Sequence, residues 1–120
     1  MRKIKVRKKI LIANEEYALG NRIFLKERKL PCLNIISSPG SGKTTLLAKT
    51  ITMLRGKLNI GVIEGDIQTD IDAKRIQKAG APAYQINTDG ACHLSAAQIS
   101  YAFHKLPIDR LDLLFFVNVG

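Results

Sequence analysis

The 120-residue sequence predicts one α/β domain, a parallel sheet with helices on both faces. Three observations carry that expectation. Apolar runs of strand length alternate with helical stretches along the whole chain. The connections between them are short and punctuated by Gly or Pro. The apolar runs lack a regular polar alternation, as strands covered on both faces require.

Residues 11–29 read as a helix, with Leu11, Ala18 and Leu25 on one face and Ile12, Leu19 and Ile23 widening the stripe. Pro31 is expected to stop it. Residues 33–37 read as a buried strand. A Gly-rich turn leads into a helix over 43–55, with Leu47, Ile51 and Leu54 facing the core and Gly56 ending it. A strand is expected at 60–64, a helix at 70–79 closed by Gly80 and Pro82, and a short strand at 83–86. Ser95-x-x-Gln98 is a capping box, and Leu94 with Ile99 makes the matching staple. It opens a helix over 96–106 with Ile99, Ala102, Phe103 and Leu106 as its stripe, stopped by Pro107. Residues 111–117 form the last strand.

Composition narrows the class. The chain is 46% hydrophobic and 24% charged, which reads as globular rather than disordered. The longest apolar run, Leu113–Val117, is too short for a membrane helix. Two cysteines build no disulfide framework, and no signal peptide opens the chain, so a cytoplasmic home is expected. The net charge is +9, of which residues 1–30 hold +7 and residues 31–120 only +2. The expected organisation is a basic N-terminal arm and helix over 1–30, followed by a nucleotide-binding domain portion over 31–120. Arg2, Lys3, Lys5, Arg7, Lys8 and Lys9 offer a nucleic-acid or acidic-surface reading. Without interleaved aromatic residues they read better as a solvated arm.

Three connections open at the carboxyl ends of the strands, where ligands gather in such sheets. The first holds Pro39, Gly40, Ser41, Gly42, Lys43, Thr44 and Thr45 between a strand and a helix. Backbone N–H groups of such a turn converge on phosphate oxygens. Lys43 reaches the β/γ-phosphates, and the Thr44 hydroxyl suits Mg²⁺. Ser37 replaces the first glycine of the strict pattern. A dinucleotide turn is a weaker rival, because its third glycine is absent. The second connection follows Ile63-Glu-Gly-Asp66. Asp66 is placed to hold Mg²⁺ or polarise an attacking water, so Lys43 and Asp66 are the candidate catalytic pair. Alternatively, Asp66, Asp70 and Asp72 simply suit a helix N-terminus.

The third connection holds Cys92 and His93. Thiolate and imidazole suit Ni²⁺ or Zn²⁺, but two ligands fill no coordination shell, so other residues or a second chain would have to join. A buried cysteine beside a capping-region histidine is the plainer reading of the dipeptide alone. His104, well inside its helix, reads as a surface residue.

The stretches LNIISSPGSGKTTLL, VIEGDIQTDIDAKRI, GAPAYQINTDGACHLSAAQI and LDLLFFVNVG resemble the HypB family of hydrogenase nickel-incorporation proteins, as does ILIANEEYALGNR. That resemblance implies a P-loop GTPase of the SRP–MinD–BioD (SIMIBI) class, hydrolysing GTP with Mg²⁺. It implies a metallochaperone that carries Ni²⁺ (or Zn²⁺), dimerises with GTP or metal, works with a HypA-type partner and serves the [NiFe]-hydrogenase large subunit. Carried over by position, Gly40, Gly42, Lys43, Thr44 and Thr45 look like phosphate ligands, Asp66 like the Mg²⁺-side acid, and Cys92 with His93 like the metal ligands.

The chain departs from that pattern in places. Val117-Asn-Val-Gly120 stands where the family has a glutamate first, Ala91 where it has glycine, and Ser95 where it has aspartate. The N-terminal Cys- or His-rich nickel motif of some members is absent. The family continues past the equivalent of Gly120 to a guanine-reading loop. The expectation is therefore an incomplete domain that binds GTP and ATP alike and hydrolyses neither appreciably. Urease-accessory GTPases are the nearest rival, although their motif is Cys-Pro-His against Cys92-His93-Leu94. A small P-loop kinase shares the Gly-Lys-Thr signature, and a nucleic-acid-binding module would use the basic arm.

Overall fold

Helix α1 runs over Arg2–Glu27, so the basic arm is itself helical. Lys and Arg are good helix formers, and they extend the helix past the apolar pattern that announced it. The computed structural model describes residues 2–37, 42–66, 71–87 and 95–119. The remaining elements are β1 (Cys32–Ser37), α2 (Lys43–Leu54), β2 (Ile60–Asp66), α3 (Ile71–Ala79), β3 (Ala83–Asn87), α4 (Ala96–Phe103), a 3₁₀ turn at Ile108–Arg110, and β4 (Leu113–Val119).

The four strands are all parallel, in the order β1-β4-β2-β3. Cys32 lies opposite Leu114, and Ile60 opposite Leu113. Alternation along the strands feeds two cores. On one face Ile63, Ile86 and Leu114 pack with Ala102, Phe103 and Leu106, against α1 and α4. On the other face Ile60, Val62, Phe115 and Val117 pack with Leu47, Ile51 and Ile76 of α2 and α3. Helices therefore cover both faces, as the sequence predicts.

Three expectations are corrected. Ile12, Leu19 and Ile23 do not widen the buried stripe of α1, since each is about half exposed. The packed face instead runs through Asn21, Phe24 and Leu25. Phe24 stacks on Phe103 with ring centroids 4.9 Å apart, and an aromatic stack outweighs a longer aliphatic stripe as an anchor. Pro31 is also not the stop. The helix ends at Glu27, and Lys29 turns the chain in the left-handed region (φ 52°), with the Leu30 N–H donating to the Leu25 carbonyl at 3.0 Å. Likewise α4 closes at Phe103 rather than 106, because the chain tightens into turns before Pro107.

Candidate nucleotide site and the segments beside it

The edge formed by the carboxyl ends of the strands gathers the described candidates. β1 ends at Ser37, and α2 opens at Lys43 after an N-cap, Gly42, held at φ 86°. A side chain is strained there, so glycine fits the position. The Gly42 carbonyl accepts from the Leu46 N–H at 3.0 Å and starts the helix. Gly42 brings no capping side chain, and the first turn, Lys43-Thr-Thr, carries no acid. The positive end of α2 thus meets no carboxylate of its own first turn, which favours a bound anion. Pro39, Gly40 and Ser41 lie outside the described residues, as do Cys92, His93 and Leu94.

Thr44 is buried in that first turn, whereas Thr45 is exposed. Asp66 is the last residue of β2, in register with Asn87 of β3. Two residues earlier stands Glu64, only 3% exposed. Strand alternation puts it on the face of Ile60 and Val62, the side covered by α2 and α3. Its register partner on β4 is Val117, the position where resemblance leads one to expect a carboxylate. An acid is therefore present beside that place, one strand over. Thr44, Glu64 and Asp66 supply hard oxygen donors, the donor chemistry that Mg²⁺ takes.

One contact here was not legible in the sequence. Arg75 of α3 donates from Nη2 to Oγ1 of Thr45 at 2.9 Å. It ties α3, and so the far end of the segment leaving Asp66, to the first turn of α2. An arginine at a helical i+3 or i+4 spacing reads as solvated surface, and only the packing of α3 beside α2 reveals its partner.

At the third connection, the Ser95 capping box forms as the sequence predicts. Ser95 Oγ accepts from the Gln98 N–H at 3.2 Å, and Gln98 Oε1 accepts from the Ser95 N–H at 3.0 Å. His104 is exposed at the end of α4 and borders a cleft of about 380 Å³ between α1 and α4, together with Tyr17, Asn21, Phe24 and Phe103. No group of three or more metal-ligating side chains occurs among the described residues.

Cys32, at the start of β1, is a free thiol packed against the α1/α4 core. Burial pushes it up from an ordinary 9.0 to about 12. The raised value favours the folded state fully below about pH 9, and that contribution is lost as pH rises toward 12. At pH 8 iodoacetamide should label Cys32 slowly in the folded chain and rapidly in denaturant, as mass spectrometry of the peptide would show. Equal rates would contradict the buried thiol.

Among the described residues no helix is long and apolar enough to cross a membrane. A family model described as "CobW/HypB/UreG, nucleotide-binding domain" matches residues 31–120. The hydrogenase maturation factor HypB of Rhizobium leguminosarum bv. viciae is 48% identical over 117 residues, covering 98% of this chain and 39% of that protein. HypB from Helicobacter pylori, crystallised in complex with nickel, superposes with a TM-score of 0.81 at 39% identity, over 90% of this chain and 51% of that one. The hydrogenase maturation factor HypB from Archaeoglobus fulgidus gives 0.78 at 35%, over 91% and 53%. The chain thus spans about half or less of the length of these relatives. Sheet order and family match agree: the chain belongs to the CobW/HypB/UreG nucleotide-binding domain family, and within it resembles the HypB hydrogenase maturation factors.

Proposed function

We propose that this chain is the nucleotide-binding part of a GTP-dependent metallochaperone that carries nickel for [NiFe]-hydrogenase maturation. The observation that carries the reading is the opening of α2 after β1, with Gly42 in the left-handed region, an acid-free first turn and Thr44 buried within that turn. In this reading Pro39, Gly40, Ser41, Gly42, Lys43, Thr44 and Thr45 bind the phosphates. Thr44 and Asp66 hold Mg²⁺, which would neutralise charge on the phosphates. Lys43 stabilises the charge that develops there, and Asp66 orients the attacking water. Arg75 keeps Thr45 in place from α3.

Nickel is the cargo, held by Cys92 and His93, with Zn²⁺ as a competing ion for the same soft donors. Support comes from the crystallised Helicobacter pylori relative, whose complex contains nickel. A pair of ligands per chain calls for a second copy, so the metal would sit between two chains. A HypA-type chaperone and the hydrogenase large subunit are the implied partners, in the cytoplasm.

Sedimentation tests this reading directly. Adding Ni²⁺ should convert the parent chain to dimer at one metal per two chains, and a GTP analogue should strengthen the effect. Cys92→Ala should stay monomeric under both conditions. Lower pH should weaken the dimer, because thiolate and neutral imidazole both compete with protons. If Cys92→Ala dimerises with Ni²⁺ as the parent does, the assignment of this ligand pair falls.

A further inference from the structure

α4 begins three residues after His93, and its first helical residue, Ala96, is held from outside the helix. The Ala96 N–H donates to Oδ1 of Asn14 at 3.0 Å. Asn21 Nδ2 donates to the Ala96 carbonyl at 2.9 Å. Both asparagines belong to α1, two helical turns apart and therefore on one face. Their amide orientations are fixed by chemistry, since an N–H needs an oxygen and a carbonyl needs an N–H.

The grip is specific in kind. The first N–H groups of a helix have no partner within it. At α4 the capping box satisfies the Gln98 N–H locally, and the Ala96 N–H is satisfied across the structure by Asn14. Farther along the same pair of helices, Phe24 stacks on Phe103. Arg28 lies 3.6 Å over the Phe24 ring and pairs with Asp109 at 3.1 Å. The apolar stack holds α1 and α4 together, and the ion pair ties the residue just past α1 to the 3₁₀ turn that follows α4. Two hydrogen bonds on one residue do something else: they set the position of α4 along α1.

We propose that Asn14 and Asn21 are positioning residues for the metal-binding pair. By gripping both backbone groups of Ala96, they fix the downstream anchor of the segment that carries Cys92 and His93, and they make α1 a lever on metal affinity. The proposal rests on the reading of Cys92 and His93 as metal ligands. It adds that an event on α1, such as a partner seated on it, is felt at the metal through Ala96.

The two asparagines use opposite ends of the same amide, and this gives a test that loss of packing cannot imitate. Asn14→Asp keeps an acceptor for the Ala96 N–H, whereas Asn21→Asp removes the donor and sets a carboxylate against a carbonyl. Titration with Ni²⁺ against a chromophoric chelator should show Asn21→Asp about tenfold weaker, the lower end of what losing a supporting partner costs a metal site. Asn14→Asp should stay within about threefold of the parent by the same measure. Asn14→Ala, a change at an exposed position, should fall with Asn21→Asp and so covers the case in which the latter fails to fold.

Nucleotide affinity should be the same in all of them. Amide exchange at Ala96 should quicken in Asn14→Ala and Asn21→Asp but not in Asn14→Asp. Equal nickel affinity in Asn14→Asp, Asn14→Ala and Asn21→Asp overturns the proposal. Cys92→Ala, run beside them, separates the two ideas. If it binds Ni²⁺ like the parent, the ligand assignment fails and the proposal falls with it. If it loses Ni²⁺ while Asn14→Ala and Asn21→Asp keep it, only the positioning role fails.

Discussion

Lys43→Ala is expected to lose about tenfold or more in affinity for a non-hydrolysable GTP analogue, because a charge-assisted contact contributes about 1.5–3 kcal/mol. Lys43 is the first residue of α2, directly after the left-handed Gly42. In the proposed phosphate reading, a lysine at this position adds a cation to the partial positive charge of the helix end. Calorimetric titration measures it. The melting temperature without nucleotide should barely move, since the contact removed is one made to the nucleotide. With nucleotide, the parent should gain about 2.7 kcal/mol at a hundred times Kd, and the variant should need a correspondingly higher concentration for the same gain. Equal affinities in parent and variant would remove the phosphate-binding assignment, and with it the nucleotide-dependent part of the proposed function.

Leu114→Ala should cost about 2–5 kcal/mol of stability, the range for emptying a buried leucine site. Leu114 is fully buried on β4, in register with Cys32 on one side and Gly61 on the other. It packs in the cluster that contains Ile63 and Phe103. Strands pair on both sides of it, so the backbone has little freedom to close around the lost methyl groups. A domain of this size has about 5–15 kcal/mol in all, so the variant should unfold at a much lower denaturant midpoint with an unchanged slope. Met53→Ala makes the control. Met53 is 76% exposed on α2, and its loss should stay within about 0.5 kcal/mol. If the two midpoints shift alike, Leu114 is not the core residue its burial indicates.

Much of the fold is legible in the order of residues itself. Leu47 and Ile51 are buried where the helical period puts them, Ala102 and Phe103 likewise, and the Ser95–Gln98 box forms. Those signals are local: a periodic face or a cap needs only its own neighbours. The pattern misleads where a distant element decides. Ile12, Leu19 and Ile23 share an apolar pattern, yet α4 meets α1 at Asn21 and Phe24 instead. The basic stretch lacks apolar periodicity and still continues the helix. At the site, the Gly-Lys-Thr run announces itself, whereas Arg75 on Thr45, Glu64 beside Val117, and the asparagines on Ala96 do not. Each of these depends on pairing between segments far apart in the chain, which a sequence pattern does not encode one segment at a time.

The sheet order carries a consequence for how the protein comes into being. Among the described residues β1 has a single hydrogen-bonded neighbour, β4, although β2 and β3 are synthesised between them. While the chain emerges from the ribosome, the β2–α3–β3 unit can pair as soon as it appears. β1, which leads to the proposed phosphate turn, must wait for Leu113–Val119. Such long closures are slow, and they leave apolar strands uncovered in the interval. The nucleotide binding proposed above should therefore not precede the emergence of β4. Chains arrested before β4 should carry a protease-sensitive β1, and GTP should protect it only once β4 has been made.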